Sequence, residues 1–261
     1  MAIPTPQAFW NLDEVSGDAA DATGNGYTLT NTNVVTYTPG LIGNSAVMTV
    51  AASQTLTRSD NVGVTSPTNI SFSLWVYIVS TPSSGNGYIL FTLRTTGGGS
   101  NYIDWALAYQ NNAGTPRLMF QRTKPGVAGF STNYNVTLST ATWYHIAMTY
   151  DTATLKGYLN ASEVASAATS GVGSGGANSF FIGNGGSDDG AYSNARYDMF
   201  GIWNTLLSTT DITDLYNGGA GIQYPFVAPT SIKTINGLAK ASVKTVNGLA
   251  IASVKTWNGL A

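Results

Sequence analysis

Phe72-Ser73-Leu74-Trp75-Val76-Tyr77-Ile78 is a short run of aromatic, branched and small residues, a composition that suits a pleated, packed strand. Comparable runs follow at Tyr88 to Leu93, Tyr102 to Tyr109, Arg117 to Gln121, Trp143 to Tyr150, Leu155 to Leu159, Ser179 to Ile182 and Arg196 to Trp203. Between them stand turn residues such as Ser84-Gly85-Asn86-Gly87 and Thr96-Gly97-Gly98-Gly99, which supply the positive-φ positions that tight reversals need. In Ile103, Trp105, Leu107 and Tyr109 the apolar residues recur at every second position, the spacing of a half-buried strand. Many short strands with turns between them predict an all-β fold, a two-sheet antiparallel jelly-roll sandwich. One helix interrupts the pattern. Ser208 is placed to cap it, Asp211 completes a capping box, Ile212, Leu215 and Tyr216 share a face, and Gly218-Gly219 ends it.

Composition narrows the setting. Charged residues are 9 % of the 261, against roughly 25 % in an ordinary soluble domain. Solvation therefore falls to Ser, Thr, Asn and Gly, as in proteins of extracellular or virion surfaces. The net charge of −2 leaves no basic stripe for nucleic acid and no polybasic patch for a membrane. Without cysteine there is no disulfide framework and no thiolate metal site. Met1-Ala2-Ile3-Pro4-Thr5-Pro6 has neither a basic nor an apolar leader segment, so a Sec signal is not expected there. No stretch reaches the ~18 apolar residues of a membrane helix. Surface character without a Sec signal fits release by lysis or export by another route.

Four segments carry a family resemblance. They are Phe9 to Gly17 with Asp21 to Asn25; Phe72 to Val76; Trp143 to Asp151 with Tyr158-Leu159-Asn160; and Asp198 to Asn204 leading into Leu215 to Gly219. In this order they resemble the laminin-G-like or concanavalin A-like jelly roll over about 220 residues. The resemblance implies two curved sheets packed face to face, in domains that bind glycans, proteins or calcium, or only fill structure. Residues 1–226 are accordingly assigned to the sandwich.

Residues 227–261 differ. Ser231-Ile-Lys-Thr-Ile-Asn-Gly-Leu-Ala returns from Ser242 and from Ser253, an 11-residue period. Asn236-Gly237, Asn247-Gly248 and Asn258-Gly259 rule out a helix and predict hairpins. The nine residues between turns are then strands, with Ala239, Ala241, Val243 and Thr245 on one face and Leu238, Lys240, Ser242, Lys244 and Val246 on the other. About 30 residues of hairpin cannot bury enough surface to stand alone. Self-association through residues 231–261 as a trimer is expected, with docking onto capsid or tail proteins as the alternative.

Chemistry-bearing constellations are few. His145, the single histidine, lies inside a strand run; it reads as a general base or metal ligand, or more plainly as a half-buried strand histidine. Glu14 and Glu163, the two glutamates, lack the clustered-acid neighbourhood that the resembling glucanases carry, so no enzyme is expected. Since similar jelly rolls place their first and last strands side by side, the resemblance implies that Asp21, Asn25 and Asp198 could converge on calcium. The alternative is that Asp21 to Asn25 form only an Asx-type turn. Asp188, Asp189 and Tyr192 in a second acidic loop, with Tyr134, are candidate glycan contacts. The alternative for the acidic loop is a solvated hairpin. Tyr102, Trp105 and Tyr109 are aromatic candidates of the same kind, Trp105 reading rather as core.

These features predict a non-enzymatic virion protein, a decoration or tail-fibre component of a bacteriophage that displays a lectin-like sandwich. A bacterial cell-surface carbohydrate-binding adhesin is the alternative, and a polysaccharide-cleaving enzyme the weakest reading. If calcium binds, it should raise the melting temperature, with a gain of about 2.7 kcal/mol at a hundredfold excess over Kd. Asp198→Ala should abolish that gain. An unchanged melting curve on chelation and re-addition eliminates the site.

Overall fold

The structure, a computed structural model, describes residues 3–64, 69–95, 102–124, 127–169, 177–184 and 191–226, and four residue pairs between 234 and 250. The chain divides into two compact units, Met1–Pro225 and Phe226–Ala261. The first holds β1 (Ala8–Trp10), β2 (Thr30–Thr32), β3 (Thr36–Pro39), β4 (Asn44–Met48), β5 (Thr55–Arg58), β6 (Ile70–Ile78), β7 (Gly87–Thr95) and β8 (Tyr102–Asn112). It continues with β9 (Thr115–Lys124), β10 (Val127–Asn135), β11 (Trp143–Tyr150), β12 (Thr154–Leu159), β13 (Ser162–Ala168), β14 (Ser179–Ile182), β15 (Ala195–Trp203) and α1 (Thr209–Tyr216).

The strands form two antiparallel sheets. Sheet A runs β13-β12-β11-β6-β15-β4-β3, with β1 also paired to β15, and sheet B runs β10-β9-β8-β7-β14-β5-β2. This is the jelly-roll sandwich expected from the strand spacing.

Alternation builds the core. On β6, Ile70, Phe72, Leu74, Val76 and Ile78 face inward. The β11 residues paired with three of them, Tyr150, Met148 and Ile146, join the same layer. Sheet B answers with Leu90, Phe91 and Leu93 from β7 and Trp105, Leu107 and Tyr109 from β8. The β8 strand departs from expectation in one respect. Its other face is also covered: Ala106 and Ala108 are fully buried and Asp104 nearly so. Period two located the inward face, but burial of the outer face is not encoded in the strand itself.

Sheet A is covered outside as well. Ser71, Ser73 and Trp75 lie on the outer face of β6, and the chain after β15 crosses them. The Ser71 hydroxyl donates to the Thr205 carbonyl at 2.9 Å and accepts the Leu207 N–H at 2.9 Å. Tyr216 of α1 stacks on Trp75 with ring centroids 5.7 Å apart. The helix starts as its sequence predicts, with Ser208 and Asp211 completing the capping box. It ends one residue earlier than the glycines suggested, because Asn217 takes the left-handed conformation at φ 48°, a region Asn tolerates.

In the second unit, β16 (Thr234–Ile235) pairs with β17 (Leu238–Ala239), and β18 (Thr245–Val246) with β19 (Leu249–Ala250). The pairing brackets Asn236-Gly237 and Asn247-Gly248, as the hairpin signal requires. The described residues show two separate two-stranded sheets, and the stretches between the turns extend beyond the described residues. The third repeat lies outside the described residues.

Gly157 on β12 faces the ring of Phe120 on β9 across the sandwich, and a Cβ there would overlap that ring. Gly157→Ala should therefore destabilise the sandwich by about 1–3 kcal/mol through overpacking, read as a lowered denaturant midpoint with an unchanged slope. A midpoint equal to that of the natural chain would show that the sheets are free to separate there.

Candidate functional site

At one end of the sandwich, the β6–β7 connection, the segment before β15 and Val50 after β4 enclose a cleft of about 580 Å³. Its lining includes Val50, Pro82, Asn86, Tyr88, Tyr192 and Asn194, and no charged side chain among the described residues. Backbone bonds fix the walls. Val79 N–H donates to the Asn194 carbonyl at 3.2 Å and Ile89 N–H to that of Ala191 at 3.3 Å, which ties the two connections together. Gly85 N–H donates to the Asn111 carbonyl at 2.8 Å, and Asn111 N–H to that of Asn86 at 2.9 Å. Side chains add a relay: the Asn194 amide donates to Ser80 Oγ at 2.7 Å, and Ser80 shares a 2.8 Å bond with the Tyr88 hydroxyl. The Asn86 amide donates to Ser83 Oγ at 2.9 Å.

The cleft thus combines a half-buried aromatic ring, Tyr192, and an exposed apolar wall, Val50, with amide groups held in place by neighbours. A few placed polar groups on an apolar wall are how pockets orient small ligands. An uncharged lining favours a neutral, hydroxyl-rich ligand over an ion.

The predicted residues fall in different places. Tyr192 lines the cleft. Asp188 and Asp189, in the same loop, lie outside the described residues. Tyr134 is not part of the cleft: it sits on edge strand β10 opposite Leu118 and packs against the core. Its neighbours suggested exposure, yet Ser131, Asn133 and Asn135 occupy the alternate, exposed face of the strand, while Thr132 shares the face of Tyr134 and is buried. Trp105 is core, 2 % exposed and packed on Phe72 and Tyr150. Tyr109 is fully buried and accepts the Leu138 N–H at 3.0 Å. Asn86, Tyr88 and Asn194 were passed over because their runs read as turn and strand. The available signal was an aromatic at a Gly-Asn-Gly turn, matched by Tyr192 in another Gly- and Ser-rich stretch.

Asp21, Asn25 and Asp198 engage separate partners. The Asp21 carboxylate accepts the Phe9 and Thr23 N–H groups on one oxygen, the Tyr27 N–H on the other, and the Thr23 hydroxyl, so it acts as the hub of its loop. The Asn25 amide donates to the Gln7 carbonyl at 2.9 Å. Asp198 is fully buried on the outer face of β15, where its Oδ2 accepts the Leu41 and Ile42 N–H groups at 2.9 and 3.2 Å. Burial pushes this carboxyl up to about 8. Among the described residues no group of three or more His, Cys, Asp or Glu is placed to hold a metal ion.

Glu14 and Glu163 stand at opposite ends of sheet A. Glu163 is on edge strand β13, where it pairs with Lys156 at 2.9 Å. Glu14 lies beside β4, its carbonyl accepting the Asn44 amide. Five strand spacings separate β13 from β4, about 24 Å at ~4.8 Å each, whereas paired glycosidase carboxyls stand roughly 5–9.5 Å apart. His145 is completely buried, between Trp75 and Tyr216. Its Nε2 is 2.8 Å from Ser73 Oγ, and its Nδ1 has no hydrogen-bond partner. Burial lowers its pKa to about 3. It is a structural histidine under the helix, not a half-buried one.

Two antiparallel sheets packed face to face define a jelly-roll sandwich. The chain belongs to the concanavalin A-like lectin/glucanases superfamily, whose model matches residues 49–213. Comparison with curated protein sequences matched none. Among solved structures it is similar to domain 4 of AbnA, a GH43 extracellular arabinanase from Geobacillus stearothermophilus, in complex with arabinotriose. The identity is 23 % and the TM-score 0.58, over 80 % of this chain and 97 % of that one. It is similar also to the receptor binding domain of botulinum neurotoxin mosaic serotype C/D, at 16 % identity and TM-score 0.62 over 82 % of this chain. The binding domain of Paraclostridial Mosquitocidal Protein 1 follows at 15 %, with TM-score 0.61 over 80 %. This chain spans about half the length of the two toxin domains, 51 % and 52 %. At these identities the likeness is one of fold.

The buried histidine generates a pH dependence. The folded state holds His145 neutral to about pH 3, whereas the unfolded chain binds its proton near pH 6.5. Its contribution is intact above pH 6.5 and lost as pH falls from there toward 3, by about 1.4 kcal/mol per unit. His145→Gln should flatten the stability difference over that window in chemical denaturation. Parallel pH profiles for the two proteins would mean that the imidazole titrates normally.

Proposed function

We propose that this protein is a non-catalytic carbohydrate-binding module, with the end cleft around Tyr192 as its glycan site. The observation that carries this is the set of Tyr192, Asn86 and Asn194 on uncharged, hydrogen-bonded walls. The Tyr192 ring offers a face to a sugar, and the two amides offer directional bonds to its hydroxyls. Membership of a lectin and glucanase superfamily supports the reading, as does the similarity to a domain solved with arabinotriose. We also propose display on a virion, as a decoration or fibre component. Its support is the 9 % charge, the absence of cysteine and the repeated tail. The alternative is a bacterial surface adhesin, and detection of the protein in purified phage particles, against its detection on the cell envelope, separates the two.

Binding should first be sought on a neutral-glycan array and quantified by calorimetry. Tyr192→Ala should weaken it about tenfold or more, equivalent to ~1.4 kcal/mol, while leaving the melting temperature within a degree or two. The natural chain should release no reducing sugar from the glycan it binds. Full affinity in Tyr192→Ala would move the site elsewhere, and turnover would make the protein an enzyme.

A further inference from the structure

A second concavity lies beside the connection between β2 and β3. β2 ends sheet B and β3 ends sheet A, so each presents an outer edge, the kind of surface that recruits another strand. The two are joined through Asn33, Val34 and Val35, and beside them lies a groove of about 520 Å³ lined by Val15, Asp18, Asn31, Val34 and Tyr37. Its frame is firm. The Asn31 amide donates to the Gly17 and Val35 carbonyls at 2.9 and 2.8 Å, Asn31 N–H to Asp18 at 2.8 Å, and the Tyr37 hydroxyl to the Gly17 carbonyl at 3.1 Å.

Two valines are costly here. Val15 and Val34 are 86 % and 76 % exposed, the highest values for large hydrophobics among the described residues. Val34 also sits at φ 57°, an outlier for a β-branched residue. Strain and exposure at one side chain bring no return within the sandwich, a combination that points to use by a partner. The groove also carries an exposed carboxylate, Asp18, and with Glu14 nearby it adds to the effect of burial in raising the pKa of Tyr37.

Charge identifies the occupant. Residues 1–226 contain 13 acidic and 7 basic side chains, whereas residues 227–261 contain four lysines and no acid. The repeat combines what the groove lacks: β-branched residues in Ser-Val-Lys-Thr for the valines, lysines for the carboxylates, and strand-forming backbone for the open edges. Lysine stems can lie along apolar surface while their heads reach the acids.

We propose that the β2/β3 groove is the docking site for the lysine-bearing C-terminal repeat of a second copy of this chain, joined by strand addition. Such a contact is heterologous, so it closes as a ring or grows as a filament, and a ring of three is the expected closed form.

The test is the assembly state of the full chain by sedimentation at micromolar concentration, with three variants. The natural chain should associate, and less so as salt rises, because exposed ion pairs are screened. Val34→Gly suits the positive φ, so it should keep or raise the melting temperature while weakening association about tenfold. Val15→Lys/Val34→Lys should weaken it further. A tail variant with Lys233, Lys240, Lys244 and Lys255 all changed to Glu should be monomeric alone, yet associate with the lysine-groove variant. A monomeric natural chain overturns the proposal. So does undiminished association in either groove variant, or a tail variant that assembles as the natural chain does. All of these readouts are taken without glycan, so they stand apart from binding at the Tyr192 cleft.

Discussion

Phe72 of sheet A and Phe91 of sheet B meet across the sandwich at 4.8 Å, and around this contact the two sheets are locked. Phe91 also meets Phe200 edge-on at 5.1 Å, Phe200 meets Phe180 at 5.5 Å, and Trp10 stacks on Phe180 at 5.3 Å. These pairs alternate between sheets. Each contributes about 0.5–1.5 kcal/mol beyond area burial. Together they hold β1, β6, β7, β14 and β15 in one register, so the termini of the sandwich are tied to its middle. The end cleft depends on this, because its walls are the connections leaving β6 and β14 at one end of the same layer.

The layer outside sheet A has a different logic. Serines at positions 71 and 73 leave room for the chain after β15, and Trp75 offers Tyr216 a flat surface. His145 is trapped neutral beneath that ring. A side chain that looks like a catalytic base in a list of residues is here part of the seal between a sheet and a helix. The same holds for Asp21, whose carboxylate is occupied by the N–H groups of its own loop and of β1.

Much of the fold was legible in the chain. The β11 strand, Trp143–Tyr150, and β14, Ser179–Ile182, coincide with their β-prone runs, and the Ser208 capping box forms as spelled. The strands that went unread were polar or short. β10 is rich in Ser, Asn and Gly, and β2 is Thr-Asn-Thr. They are held by pairing with neighbours, which leaves little mark on local composition. Of the candidate glycan contacts read from the chain, Tyr192 is the one among the described residues that lines the end cleft. Tyr134 shares such polar surroundings but packs, partly buried, against the core, and Asn86 and Asn194 come together from positions more than a hundred residues apart.

The sequence by itself determined the sandwich class, the single capped helix, the hairpin turns of the tail and the poverty of catalytic groups, because these depend on periodicity, turn chemistry and inventory, all of them local. Tertiary structure decided which aromatics line the end cleft and which are core, where the carboxylates spend their hydrogen bonds, and that β8 is buried on both faces. Those outcomes rest on strand order and register, which bring distant residues together. A one-residue slip of register would reverse them all.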